Sequence, residues 1–383
     1  MTELEKMILA DAPSVLEPPQ IRTFDAPELK PENTNFVMMS SGMARTPGGR
    51  VWINWTGGGD NQDAHMLAAW SDDEGATWTD PVFLLREPPS PHGFKRRFQG
   101  GQFWCDPLGR LWWLFDYSLG SFDGRAGLWC SLCSNPDAEA PSWTTPRRLW
   151  HGSALNKPIV LDNGEWLLAV TLWQTDIIAG FPGQPCDWGE CRGELWKELD
   201  PLRMTHAFVS KDQGATWERR GGVAAKDRMF DEPQVIQARD GSLRMYIRTT
   251  YGIAETVSRD LGRTWSEPGP SALAHPSARI FVSKLKSGRL LMVKHDAMAR
   301  RELKAFLSDD DGLTWHGGLM LDERLGVSYP DGFQHPDGRI FVTYDYKRLD
   351  GELLLAVFAE EEVASGKGGK LRQVIKRTST YKG

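Results

Sequence analysis

The sequence predicts an all-β fold, a six-bladed β-propeller with four antiparallel strands per blade, and two superimposed repeats carry that expectation. The first is an eight-residue motif, Ser-x-Asp-x-Gly-x-Thr-Trp, which appears without error at Ser71–Trp78, Ser210–Trp217, Ser258–Trp265 and Ser308–Trp315. Its last three copies recur about every 50 residues, a spacing expected of propeller blades. The second is a hairpin signature in which two apolar runs flank a glycine turn, at Pro47–Arg50, Asp106–Arg110, Asp162–Gly164, Asp240–Gly241, Ser287–Arg289 and Asp337–Arg339. Such turns need a residue with positive φ, which glycine supplies. Six hairpins imply six blades.

Taken in order, the elements fill that frame as a single domain over residues 1–383. Residues 1–34 form an N-terminal extension, and the run Ile21-Arg22-Thr23-Phe24 is expected to add the outer strand of the sixth blade, closing the ring and removing an exposed sheet edge. Between each hairpin and the Thr-Trp motif lies space for a third strand, and a fourth follows, as at Trp78–Leu85. A decayed copy of the motif is read from Ser134 through Asp137 to Trp143. The segment 174–203, with Gly, Pro, two Cys and several acidic residues, reads as a loop inserted in blade 3. Within the motif itself, Asp and Ser are expected to bond the turn backbone and Trp to pack between sheets.

Composition bounds the function. A 40% apolar and 25% charged chain is ordinary for a globular protein. With a net charge of −6 and scattered Lys and Arg, there is no basic stripe for a nucleic-acid backbone, so no nucleic-acid partner is expected. No segment approaches the ~20 apolar residues of a membrane span and the first residues hold no signal-like run, so no membrane partner and a cytoplasmic location are expected. The five cysteines argue against a disulfide framework. Cys130 and Cys133 have metal-pair spacing, but they sit in a strand-like run without a second pair of ligands and read as structural thiols. No metal motif is present, so no metal and no cofactor are expected. Oligomeric state is left open.

In a propeller the first strand of each blade lines the central channel, so residues at its start and those just after the second strand face one mouth. Arg97, Glu232, Arg279, Tyr329 and Asp331 stand at the first kind of position, and Asp60, Asp63, Tyr117, Arg248, His295 and Asp345 at the second. Charged groups are seldom buried without partners. Their concentration at equivalent points of different blades therefore points to a polar, anion-reading pocket, with ion pairs between neighbouring blades as the alternative.

The repeated motif resembles the Asp boxes of the sialidase (neuraminidase) superfamily, and the resemblance extends to particular residues. Sialidases carry a Tyr at the start of the sixth blade, and Ser328-Tyr329 stands before the Asp337-Gly338 hairpin. Their partner Glu begins the fourth blade a short hairpin ahead of an Arg, which is similar to Asp231-Glu232 followed by Arg248. A further Arg precedes the third strand of blade 5, where Arg300 is preferred over Arg301. The family's acid/base Asp follows the second strand of the first blade, which implies Asp63, with Asp60 as its rival. The resemblance thus implies Tyr329 as nucleophile, Glu232 as its base, Asp63 as acid/base, and Arg248 and Arg300 on a substrate carboxylate; Arg97, Arg279, His295 and Asp331, from their places at the axial mouth, are expected as further substrate contacts. The chemistry fits. A sialoside bears a carboxylate at the reacting carbon that would repel a carboxylate nucleophile, whereas a neutral Tyr activated by Glu avoids this. Arg forks suit carboxylates because they donate two parallel hydrogen bonds.

One feature of the family is missing. Its first arginine lies in an Arg-Ile-Pro motif on the opening strand, where this chain reads Asn35-Phe36-Val37-Met38-Met39-Ser40-Ser41. Arg45, Arg97 and Arg279 are the candidates to replace it. The expected function is an exo-acting glycoside hydrolase releasing a terminal acidic sugar. The alternatives are a lyase or atypical glycosidase on uronate-containing glycans, with Tyr329 or His295 as base, and a non-catalytic glycan binder stacking sugars on Trp173 and Tyr117.

Overall fold

The computed structural model describes residues 1–23, 39–120, 124–174, 195–348, 351–368 and 371–378. Its strands sort into six antiparallel sheets, one for each expected blade, and the fold is a six-bladed β-propeller. Blade 4 shows the pattern: Arg228–Gln237, Leu243–Thr249, Gly252–Ser258 and Gly269–Pro270 pair in chain order. Blade 5 runs from Phe281–Lys284 to His316–Asp322, and blade 6 from Val327–Gln334 to Leu371–Arg377. The hairpin glycines take the backbone they were expected to supply, with φ of 107° at Gly49 and 103° at Gly338.

The chain divides into two compact units. One gathers Met1–Lys157 and Val170–Met204, the other Pro158–Ala169 and Thr205–Arg377. The first unit has an aromatic core in which Trp52, Phe83, Phe103 and Trp113 are buried and Trp143 packs against all four. The second is mostly aliphatic: Leu303, Leu307, Leu321, Val327, Val342 and Leu355 present essentially no surface.

The Asp boxes are self-contained turns. In the last copy, Ser308 Oγ donates to Asp310 Oδ1 at 2.8 Å and accepts from the Gly312 amide at 2.9 Å. The Thr314 amide and hydroxyl donate to the two Asp310 oxygens at 2.8 and 2.6 Å. Local side-chain bonds of this kind explain why the motif repeats letter for letter.

Four features differ from expectation. The strand Ile21–Thr23 pairs with Phe83–Leu85 and adds a fifth strand to blade 1. The outer strand of blade 6 is instead Leu371–Arg377, paired with Glu352–Phe358. Blade 6 therefore draws its fourth strand from the residues that follow its third, as the other blades do. Second, the decayed box uses Cys133 and Asn135 in place of Ser and Asp. Cys133 Sγ donates to Asn135 Oδ1 at 3.3 Å, and the Ser142 amide and hydroxyl reach the same oxygen at 3.0 and 3.2 Å. Asp137 turns away and accepts from Thr46 and the Gly48 amide. Third, the inserted loop falls mostly outside the described residues, and its described end carries a short 3-10 helix, Lys197–Leu202. Fourth, a helix at Glu360–Ser365 was not foreseen. Its Glu360 accepts from Ser287 Oγ and Arg289 Nε, both at 2.6 Å.

Hydrogen bonds from Thr216, Thr264 and Thr314 hold Asp212, Asp260 and Asp310 down to about 2. Carboxylates with lowered folded pKa stabilise the fold above their unfolded value and cease to do so as pH falls through the folded one. Denaturant unfolding is therefore expected to show stability dropping between about pH 4 and pH 2. An Asp260→Asn, Asp310→Asn double variant should lose less over that window, and an unchanged pH slope would contradict the assignment.

Candidate active site

Two interruptions of the sheet build the site, both in the second unit. In blade 4 the pairing of the first two strands slips after Arg228 and again after Asp231, so Asp231 faces Arg248 while Gln234 faces Tyr246. Across this bulge Phe230, Asp231 and Glu232 are all left-handed, with φ of 58°, 53° and 43°. In blade 6 the slip lies between Ser328 and Asp331, and Tyr329 has φ 54°. In both places the residue re-aimed by the bulge stands just before a proline, Pro233 or Pro330. Proline has no N–H for the ladder and within sheets is confined to edges, strand starts and bulges, and in these two edge strands it falls at the bulge. Left-handed backbone at such residues costs about 1–3 kcal/mol each and persists only where surrounding contacts hold it.

Those contacts are present. Asp231 Oδ2 accepts from Thr205 Oγ1 and from Arg228, both at 2.6 Å, and is almost fully buried. Tyr329 Oη donates to Glu232 Oε1 at 2.7 Å, and Arg248 donates to the same oxygen at 2.9 Å. Arg248 Nε also reaches Ser277 Oγ at 3.2 Å, which ties blade 4 to the approach to blade 5. Arg300 donates to Ser328 Oγ at 2.8 Å, and its guanidinium lies 5.7 Å from the Tyr329 ring centroid. Four of the expected site residues, Tyr329, Glu232, Arg248 and Arg300, thus come together around one phenol.

Burial, then the Glu232 charge, raises the Tyr329 pKa, with Arg248, Arg348 and Arg300 acting in the opposite direction. The resting phenol is therefore neutral, and its proton already points at a carboxylate. Burial disfavours the charge on Arg248, yet Glu232 leaves its pKa raised. Burial and then the like charge of Arg348 lower the pKa of Arg300. Chemically, the arrangement offers a nucleophilic oxygen, a base in contact with it, and guanidinium donors for an anion.

The remaining expected residues are placed differently. Arg279 and Asp331, expected as substrate contacts, are each 1% exposed and face one another at 3.5 Å. Two charges removed from water need each other, so they form a strut, with the Arg279 guanidinium 6.0 Å from the Tyr329 ring centroid. His295, also expected to touch substrate, is fully buried between His275 and the Val327 carbonyl, to which its ring nitrogens lie at 3.3 and 2.9 Å. Burial holds His295 down at about 4 and keeps it neutral.

Arg97 and Asp63 belong to the first unit. Arg97 is buried opposite Asp116 at 3.5 Å, and Ser153 Oγ donates to that carboxylate at 2.9 Å, linking blades 2 and 3. Asp63 is exposed on its loop, with Lys95 Nζ at 3.0 Å and its amide bonded to Asn61 Oδ1 at 2.7 Å. Its rival Asp60 accepts from Gln99. Tyr117 is buried and stacked on Phe98 with ring centroids 4.4 Å apart, which leaves no face for a sugar. The opening-strand residues 35–38, where the family's first arginine would stand, lie outside the described residues.

Sequence reasoning missed Arg348 and gave no role to Ser328 or Ser277. It also overlooked that Glu232 and Tyr329 each stand just before a proline within an inner strand.

Residues 49–342 match the family described as BNR repeat-like domain. No curated protein matches the chain. Among solved structures, a Hadza microbial sialidase superposes with a TM-score of 0.66 at 18% identity, over 87% of this chain and 67% of that one. The intramolecular trans-sialidase of Ruminococcus gnavus, solved with oseltamivir carboxylate, gives 0.62 at 16% over 86% and 96%. A protein of unknown function from Dyadobacter fermentans gives 0.61 at 16% over 88% and 98%. These likenesses concern the fold.

Because the Tyr329 pKa is raised, the phenol should stay protonated below its ordinary value of about 10. Ultraviolet pH titration of the wild type against Tyr329→Phe is expected to give a difference curve with no phenolate up to that pH. A phenolate forming near neutrality would contradict the assigned electrostatics.

Proposed function

We propose that this chain, which belongs to the BNR repeat-like domain family, is an exo-acting glycoside hydrolase of sialidase type that releases a terminal acidic sugar. The observation that carries this reading is the Tyr329–Glu232 hydrogen bond of 2.7 Å with two arginines converging on the same pair. A phenol with a carboxylate base and guanidinium neighbours is the set required to attack a carbon that already bears a carboxylate. The solved trans-sialidase of Ruminococcus gnavus carries a carboxylate ligand, which agrees with an acidic substrate here.

In the proposed reaction the substrate carboxylate lies against Arg300 and Arg248. Glu232 accepts the phenol proton as Tyr329 Oη bonds to the anomeric carbon, and the bond to the leaving oxygen breaks. The leaving oxygen needs a proton and the water that releases the sugar needs a base, the two roles that the resemblance assigns to Asp63. Arg279 and Asp331 hold the floor beneath the Tyr329 ring. Lys95 beside Asp63 would leave its carboxylate as Asp63 takes up the proton.

The lyase reading retains Tyr329 as base but loses His295, whose ring is enclosed. The binding-only reading loses its Tyr117 platform and gives no reason for a strained Tyr–Glu contact.

Purified protein should release the aryl alcohol from an aryl sialoside. Tyr329→Phe is expected to abolish turnover, and Glu232→Gln to lower kcat by about 10²- to 10⁴-fold, as for loss of a general base. Formation of an unsaturated product from uronate oligosaccharides, with aryl sialosides untouched, would replace this reading with a lyase.

A further inference from the structure

Two buried histidines adjoin the Tyr329 segment and take no part in the reaction above. His275 and His295 are both sealed from water, with ring centroids 5.3 Å apart. His295 Nε2 lies 2.9 Å from the Val327 carbonyl, and its Nδ1 lies 3.3 Å from His275 Nε2. A carbonyl oxygen only accepts, so His295 Nε2 carries the hydrogen and donates it. The Nδ1 of a neutral ring is then bare and accepts, so His275 Nε2 is the donor within the pair. The surroundings keep both rings neutral. Burial, then His295, Lys294 and Arg248, hold the His275 pKa well down against a hydrogen bond to the Pro276 backbone. Burial, with Arg300 and Lys294 adding to it, holds His295 at about 4 against its bond to Val327. The two rings thus form a directed chain from His275 through His295 to Val327.

That chain joins two segments on which the site depends. His275 stands two residues before Ser277, whose Oγ accepts from Arg248 Nε at 3.2 Å and whose carbonyl accepts from Arg300 Nη2 at 3.4 Å. Val327 stands directly before Ser328, whose Oγ accepts from Arg300 Nη1 at 2.8 Å, and two residues before the left-handed Tyr329. The same two segments are therefore bridged twice, once by the Arg300 guanidinium and once by the imidazole pair. The second bridge is well anchored. Lys294 Nζ donates to the Ala274 carbonyl at 3.2 Å and to the His295 carbonyl at 3.1 Å. The His275 carbonyl packs so closely on the blade 4 hairpin that a Cβ at Gly252 would stand 2.5 Å from it. The two bridges differ in what a ligand can take from them. Arg300 is charged and partly exposed, so a bound carboxylate competes for its donors, whereas the imidazoles are enclosed and keep theirs.

We infer that His275 and His295 are positioning residues for Tyr329: their hydrogen-bond chain ties the Ser277 segment to the start of blade 6 and keeps the phenol on Glu232 while Arg300 is engaged by a ligand. The inference rests on the glycosidase reading for its kinetic consequence, and the placement of the phenol can be read without it. An apolar pair would fill the same volume but would remove a donor from a buried carbonyl. A charged pair would set a further cation beside Arg248, Arg300 and Lys294 in a site closed to water. Neutral imidazoles meet both demands.

The test compares His295→Leu, which removes the donor, with His295→Gln, whose amide nitrogen donates from nearly the place of Nε2. The first readout is ultraviolet pH titration of the phenol, each protein measured against its own Tyr329→Phe partner. Wild type and His295→Gln should show no phenolate up to about pH 10, while His295→Leu should be half ionised near that pH as the phenol leaves its buried place on Glu232. On an aryl sialoside, His295→Leu should lower kcat by about 10- to 100-fold, the scale of a small misplacement of a reacting atom, with KM little changed. His295→Gln should recover most of that loss. His275→Leu is expected to act in the same direction and stands in if His295→Leu does not fold. In the wild type, NMR spectra of the imidazole nitrogens should show both rings neutral with the hydrogen on Nε2, a readout that needs no variant to fold. The proposal is overturned if the phenol of folded His295→Leu titrates as in wild type, if His295→Gln fares no better than His295→Leu, or if His295 carries its hydrogen on Nδ1. A phenol that responds to His295 in a protein that cleaves no sialoside would sink the hydrolase reading alone. Sialoside turnover indifferent to His295→Leu would sink this inference alone.

Discussion

The hydrogen bond between Tyr329 and Glu232 is the contact on which the rest of the site depends, because it exists only if two strained strands are held in place. Each residue sits in a left-handed conformation within an inner-strand bulge and just before a proline. Neither backbone would persist alone. Asp231 is fixed by Thr205 and Arg228 on one side, Arg248 reaches across to Ser277, and Arg300 reaches across to Ser328. These contacts join successive blades of the second unit, so the same bonds that hold blade to blade also aim the phenol at its base. The strain is confined to the positions where a side chain must leave the ladder, a common arrangement at functional sites.

Electrostatics separates two kinds of arginine that look alike as letters. Arg97 and Arg279 are sealed from water and each faces a carboxylate, Asp116 or Asp331, so their charge is spent on the fold. Arg300 and Arg348 are partly exposed and gathered on a serine. Arg300 donates to the Ser328 hydroxyl and the Ser277 carbonyl, and in a partly dehydrated site its charge acts more strongly than it would in water. The neutral, raised-pKa phenol completes the picture. In the proposed reaction, proton transfer to Glu232 accompanies attack, and the Arg248, Arg348 and Arg300 charges that lower the phenol's pKa would also stabilise the negative charge that then develops.

Most of the fold was legible because its signals are local. An Asp box closes hydrogen bonds within eight residues, and a hairpin glycine answers to its own φ, so both can be counted without knowing any tertiary contact. What depended on distant pairing was misread. Ile21–Thr23 and Leu371–Arg377 are both plausible outer strands, and only the sheet register assigns the first to blade 1 and the second to blade 6. The weak box at Cys133 and Asn135 escaped because sulfur and amide replaced the expected oxygens. In the site, the types and approximate places of Tyr329, Glu232, Arg248 and Arg300 could be read by resemblance. Exposure could not, which is why Arg279, Asp331 and His295 were grouped with them. Arg348 had no motif at all, since its approach to Ser328 depends on a single left-handed residue, Lys347.

The central claim is that Tyr329 is the atom donor that attacks the sugar. Incubation with a sialosyl fluoride bearing a second fluorine beside the reacting carbon, which slows release of the glycosyl-enzyme, followed by peptide mass spectrometry, tests it most directly. The account requires one sugar adduct on the peptide containing Tyr329, absent in Tyr329→Phe. An adduct on Glu232 or Asp63, or inactivation without any adduct at Tyr329, would contradict it.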